Sequence, residues 1–171
     1  MMNDAQLVSE LHHLGIDRAN ARVIVLLPLV HVAWADGEVQ AAERTAILGF
    51  AKRDNLDASS LKVLEGWLTN APTEDYHQRG RDVIRELAMR NGGLDTDVTP
   101  EKVDAIVAFC STVASSAGGL FGVLFTVSAA EKRLLTEIAE ALRVTVRESE
   151  GWSDLMGELK TSQPPPERPA E

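Results

Sequence analysis

Three carboxylates fall in one short stretch of this chain: Asp36, Glu38 and Glu43. Asp36 and Glu38 flank Gly37, which has no Cβ and lets the backbone turn sharply. Glu43 lies in the first turn of the helix that must follow, so all three carboxylates point toward one region. Their oxygens are hard ligands, suited to calcium, magnesium or manganese rather than to metals that seek thiolates. His31 stands about one helical turn before the loop, and its imidazole would move the preference toward manganese or zinc. The competing account is structural: an acidic turn opening a helix, with carboxylates favoured by the N-terminal dipole.

Other residues invite weaker chemical readings. Asp95 and Asp97 begin like a calcium loop, but the pattern needs glycine where Pro100 stands, so a solvated loop is expected. Glu10/His13 and Glu74/His77 each have the Glu-x-x-His spacing of carboxylate-bridged di-metal bundles. Both pairs sit near helix ends rather than mid-bundle, which makes such an enzyme a distant alternative. Cys110 is the one cysteine, which excludes an internal disulfide; its apolar neighbours mark it as a buried small hydrophobe. No nucleophile–base pair, phosphate loop or Cys/His cluster is present, so no enzymatic activity is expected.

The elements that must position these residues are helices. Ala, Leu, Glu and Arg abound and aromatic residues make up only 5% of the chain, which favours helix over strand. Residues 4–14 read as a short amphipathic helix stopped by Gly15. A helix over about 19–35, capped by Asp17, is apolar nearly all round and belongs mid-bundle. Pro28 should kink it. Gln40-Ala-Ala-Glu43 opens the next helix as a capping-box variant. Asp57 caps a helix over about 58–70, and Thr73 one over about 73–90 that ends at Asn91-Gly92-Gly93. Thr99-Pro100 starts another, running to about 117. Ser128-Ala-Ala-Glu131 and Thr145-Val-Arg-Glu148 are two further capping boxes, opening helices to about 142 and 160. The result is an all-α, compact bundle of seven to eight helices over residues 1–160. Residues 161–171 form a Pro-rich tail expected to be disordered.

Charge and hydropathy narrow the class. The net charge of −9 argues against nucleic-acid binding, and Arg79, Arg81, Arg85 and Arg90 read as the solvated face of one helix. Residues 105–127 carry no charge over a length that could span a bilayer, but Gly118, Gly119 and Gly122 break the run. A buried helix and a loop are expected there, with no membrane span and with peripheral membrane association left open. With no leader visible at the N-terminus, the expected location is cytoplasmic. Trp34, Trp67 and Trp152 fall at helix ends and read as core or hinge packing.

The chain also resembles itself. Val39-Gln-Ala-Ala-Glu43-Arg44 pairs with Val127-Ser-Ala-Ala-Glu131-Lys132, and Glu65-Gly66-Trp67 recurs as Glu150-Gly151-Trp152. An internal pseudo-twofold repeat with halves about 20–70 and 100–155 follows. The halves differ at their entrances: Asp36-Gly37-Glu38 in the first, Leu124-Phe125-Thr126 in the second. An apolar turn therefore suffices to start such a helix, and the acidic one invites a separate explanation.

Ala33-Trp-Ala-Asp-Gly-Glu-Val-Gln-Ala-Ala-Glu-Arg44 resembles the A-x-A-D-G-E-V-x-x-x-E-R signature of TerB-like domains. Ser115-Ser-Ala-Gly-Gly-Leu-Phe-Gly122, with Val127-Ser-Ala-Ala-Glu131 after it, is similar to that family's second half. The likeness covers about residues 20–145. Such domains occur in tellurite-resistance proteins and, in divergent form, in a membrane-anchored DnaJ-type co-chaperone. The resemblance implies an all-helical, pseudo-symmetric fold with an acidic surface. It also implies a role in resistance to tellurite and related chemical stress, protein partners from a stress-response system, and a divalent-metal site. Family members often carry an acidic turn in both halves; its loss from the second half here puts two-site metal binding in doubt.

Overall fold

The computed structural model describes residues 1–116 and 129–146. Among the described residues there are seven α-helices and no strand, arranged as a helical bundle. Helix α1 (Asp4–His13) opens on a reciprocal cap: the Gln6 N–H donates to Asn3 Oδ1, and the Asn3 N–H to Gln6 Oε1. It buries Leu7 and Leu11 and stops before Gly15.

The apolar segment that follows is not one kinked helix. Residues Arg18–Leu26 form a 3-10 segment, and α2 (Leu27–Ala33) starts afresh behind it. Pro28 has no N–H to offer the Ile24 carbonyl four residues back. The Leu27 N–H takes that carbonyl at three residues' distance instead, which is 3-10 geometry. Pro28 then lies in the first turn of α2, where a missing N–H costs nothing. Asp17 precedes the 3-10 segment, but its side chain makes no capping bond. Residues 23–30 are all buried. Each such Val, Leu or Ile contributes about 1.5–3 kcal/mol by leaving water, so this stretch is the axis of the core.

The remaining helices pack around it. They are α3 (Ala41–Arg53), α4 (Ala58–Thr69), α5 (Glu74–Met89), α6 (Pro100–Ser116) and α7 (Ala129–Val146). Their starts follow capping chemistry. Asp57 Oδ1 accepts the Ser60 N–H at 2.9 Å, and the Thr73 hydroxyl accepts the Tyr76 N–H at 3.2 Å. Helix α2 packs against α3, α5, α6 and α7, while the 3-10 segment seats on α4. Cys110 is buried in α6, and its apolar surroundings push the thiol up to about 12, as expected of an inert core cysteine.

Two polar assemblies fasten the helices. Trp34 Nε1 donates to the Trp67 carbonyl, Trp67 Nε1 to the Tyr76 hydroxyl, and that hydroxyl to the Leu14 carbonyl, at 2.9, 2.9 and 2.5 Å. This chain links the ends of α1, α2 and α4 to α5, which gives Trp34 and Trp67 the packing role expected of them. Elsewhere Asp97 receives both Arg22 and Lys102, and Lys102 also reaches Asp54 at 2.6 Å. Burial opposes ionisation of Asp97, yet the two cations hold its carboxyl down at about 2. Asp95 pairs with Arg18. Both aspartates of the calcium-like loop are thus bonded to cations.

Two expectations need correction. Helix α7 runs through Thr145 to Val146, so no new helix begins at Thr145. Arg81 is not on a solvated face: its side chain is only 4% exposed, because α5 presents that face to α2 and α7. Ser128, the glycines of the apolar run, Trp152 and the Pro-rich tail lie outside the described residues.

The turn after α5 offers a direct check. Gly92 has φ +91°, and a Cβ there would stand 2.3 Å from the Thr96 carbonyl oxygen. Gly92→Ala should cost at least about 1–2 kcal/mol, from left-handed strain plus a clash with backbone that cannot swing aside. Urea unfolding of the variant beside wild type measures it.

Candidate functional site

The acidic turn is built as a helix start. Asp36 Oδ1 accepts the Glu38 N–H at 3.3 Å, and Glu43 Oε2 accepts the Gln40 N–H at 2.8 Å. Gly37 takes φ +98°, the left-handed conformation that the turn requires. Asp36 and Glu38 are exposed, whereas Glu43 is only 2% exposed. Glu43 occupies the third position of α3, and Glu131, also buried, the third position of α7.

Burial pushes the Glu43 carboxyl up to about 7. The bond from the Gln40 N–H opposes this, while the charges of Asp36 and Glu131 add to it. Of the three carboxylates predicted to act together, Asp36 and Glu43 do influence one another. Glu131, read in the sequence only as part of a cap, joins them, and Glu38 is not among the groups acting on Glu43. These oxygens suit a hard cation in kind. Among the described residues, however, no three His, Cys, Asp or Glu side chains are grouped so as to hold a metal ion.

His31 turns to a different assembly. Its ring stacks on His77 of α5, with centroids 3.8 Å apart and planes 7° from parallel. Arg81 Nη1 lies 3.1 Å from His31 Nδ1. Arginine can only donate, so Nδ1 must be the acceptor and the ring proton sits on Nε2. That nitrogen faces Glu74 Oε2 at 3.3 Å. Arg81 Nη2 donates to Glu74 Oε1 and Gln78 Oε1 at 3.0 and 2.9 Å, and stands 3.5 Å from Glu137 Oε1 of α7. His77 Nδ1 and Arg81 Nε are buried with no hydrogen-bond partner among the described residues. His31, His77 and Arg81 line a tight gap between α2, α5 and α7, closed by Leu27, Pro28, Ile84 and Ile138.

This arrangement separates the residues of the two Glu-x-x-His pairs. Glu10 pairs with Arg79 at the surface and His13 is exposed, whereas Glu74 and His77 belong to the His31 assembly. A di-metal centre made from all four does not form. Nor can the stacked imidazoles share a metal, since their lone pairs lie in parallel planes. His31, His77 and Glu74 were each conspicuous in the sequence. Arg81 was missed, although its spacing from His77 places both on one face of α5.

No known protein-family model, curated protein or solved structure matches the chain.

The Glu43 carboxyl yields a pH prediction. Its folded value, about 7, lies above the ordinary 4.5. Its contribution to stability is therefore complete below about pH 4.5 and is lost as pH rises through 7. Glu43→Gln keeps an oxygen for the Gln40 N–H and removes the charge. At pH 8 the variant should be more stable than wild type by about 1–3 kcal/mol. The difference should vanish near pH 4, as read from chemical denaturation across that range.

Proposed function

We propose that this chain is a TerB-like, stress-associated module that works in the cytoplasm by binding protein partners and carries out no catalysis. The observation behind this reading is Glu43. The signature-like stretch places it at a helix start, and there burial, with the charges of Asp36 and Glu131, raises its carboxyl to about 7. A carboxyl poised in this way changes charge within the ordinary range of cellular pH, where the start of α3 lies within electrostatic reach of Glu131 in α7. The all-helical bundle and the net charge of −9 agree with the fold and acidic surface that the resemblance implies. No helix among the described residues is long and apolar enough to cross a membrane.

A second reading has one observation in its favour. Asp36 and Glu131 raise the cost of ionising Glu43, and a divalent cation would relieve that repulsion as a proton does. Asp36, Glu43 and Glu131 would be its ligands, with calcium, magnesium or manganese the suited ions. Binding would require these carboxylates to draw together from the positions they hold here.

Calorimetric titration of metal-stripped protein with calcium, magnesium, manganese and zinc separates the two readings. The partner-binding reading expects no saturable heat, or equal heat from wild type and an Asp36→Asn/Glu43→Gln variant. Saturable binding lost in the variant would replace it with the cation reading. The stress role is checked in the native host: deleting the gene should increase sensitivity to tellurite, and unchanged growth under tellurite would count against it.

A further inference from the structure

We infer that the His31–His77 stack is an acid-sensitive latch holding α7 against α2 and α5. The inference rests on the geometry of this assembly and is independent of the TerB-like reading. Three helices meet at two imidazoles and one guanidinium: His31 from α2, His77 and Arg81 from α5, and Glu137 of α7 reaching Arg81. The bond from Arg81 to His31 Nδ1 exists only while that nitrogen is bare. A proton on Nδ1 turns it into a donor facing a donor, and places a positive charge about 3 Å from a buried guanidinium. A proton on His77 Nδ1 is no better accommodated, because that atom is buried without a partner among the described residues. It would also charge a ring stacked 3.8 Å from its neighbour. Among the described residues the gap itself has no room for a water, and His77 is buried.

Among the described residues the charged groups acting on the stack are few. Within α5 they are Glu74 and Arg81, and from α7 Glu137. Helix α2 supplies only His31 itself. The carboxylates favour a proton, but both are well exposed, at 68% and 60%, and so are screened. Arg81 is buried and opposes one. Burial, with help from Arg81, accordingly lowers both imidazoles, His77 to about 3. Unfolded histidine takes its proton near pH ~6.5. The stack therefore contributes stability above that pH and loses it as pH falls. Hydrating a protonated stack requires the gap to open, and the latch opens on the side of α7, which closes the gap with Ile138 and meets the polar cluster through Glu137.

The test is amide hydrogen exchange followed by NMR between pH 7.5 and 5, corrected for the intrinsic pH dependence of exchange. A Glu43→Gln background removes the opposing titration of that carboxyl. Protection in α7 should fall about tenfold per pH unit below ~6.5 for each histidine released, while α3 and α4 stay protected. His77→Phe keeps a ring in the stack and should flatten this dependence. Arg81→Met, which removes the buried like charge, should weaken it. Uniform loss across all helices, or an unchanged acid response in both variants, would overturn the latch.

Discussion

Pro28 cannot donate a hydrogen bond, and much of the structure follows from that single missing proton. The apolar segment ahead of it has a break of its own at Asn20, whose φ of −114° and ψ of 16° are not helical. At Pro28 the Ile24 carbonyl is satisfied early by Leu27, so the turn before the proline is 3-10, and α2 restarts behind it. The 3-10 part is thereby free to seat on α4 while α2 meets α3, α5, α6 and α7. His31 lies in that restarted helix, and its approach to α5 depends on the same break. Gly80 completes the fit from the other side: a side chain there would collide with Leu27, so α5 comes close only because none is present.

The core confines ionisable groups of opposite kind in two separate places. Near the start of α3, carboxylates crowd one another; between α2, α5 and α7, imidazoles crowd a guanidinium. Each arrangement disfavours the charged form of its most buried members, Glu43 in one and His31 and His77 in the other, because low polarity and like charge act in the same direction. Between about pH 4.5 and 6.5 the carboxyl favours folding as protons are added and the imidazoles oppose it. The two places therefore offset each other over the mildly acidic range.

Much of the fold was legible because local chemistry and fold agree. Asp57, Thr73, Pro100 and Gly92 sit where capping and turn rules put them. Thr145 misled because a capping pattern inside an amphipathic run looks the same whether or not the chain breaks there, and α7 does not break. Arg81 misled because four arginines on one helix suggest a wet face, whereas a helix wedged between α2 and α7 buries one of them beside exposed acids. The acidic turn was found from spacing alone, but its inner partner Glu131 comes from a distant helix. Likewise, nothing local to α2 says that His31 will turn away from that turn and lie flat against His77. Pairings between distant segments are set by packing, and short-range sequence patterns do not carry them.

The hydrogen-bonded run through Trp34, Trp67, Tyr76 and Leu14 also gives the molecule an optical character. Two indoles donate their N–H groups to fixed oxygens, and a phenol stands edge-on to one of them at 6.0 Å. Tyr76 is the chain's one tyrosine, so any light it absorbs is handed to Trp67 at close range while the helix ends stay docked. Tyrosine emission from this protein is therefore weakest in the assembled bundle and rises as Tyr76 moves away from Trp67.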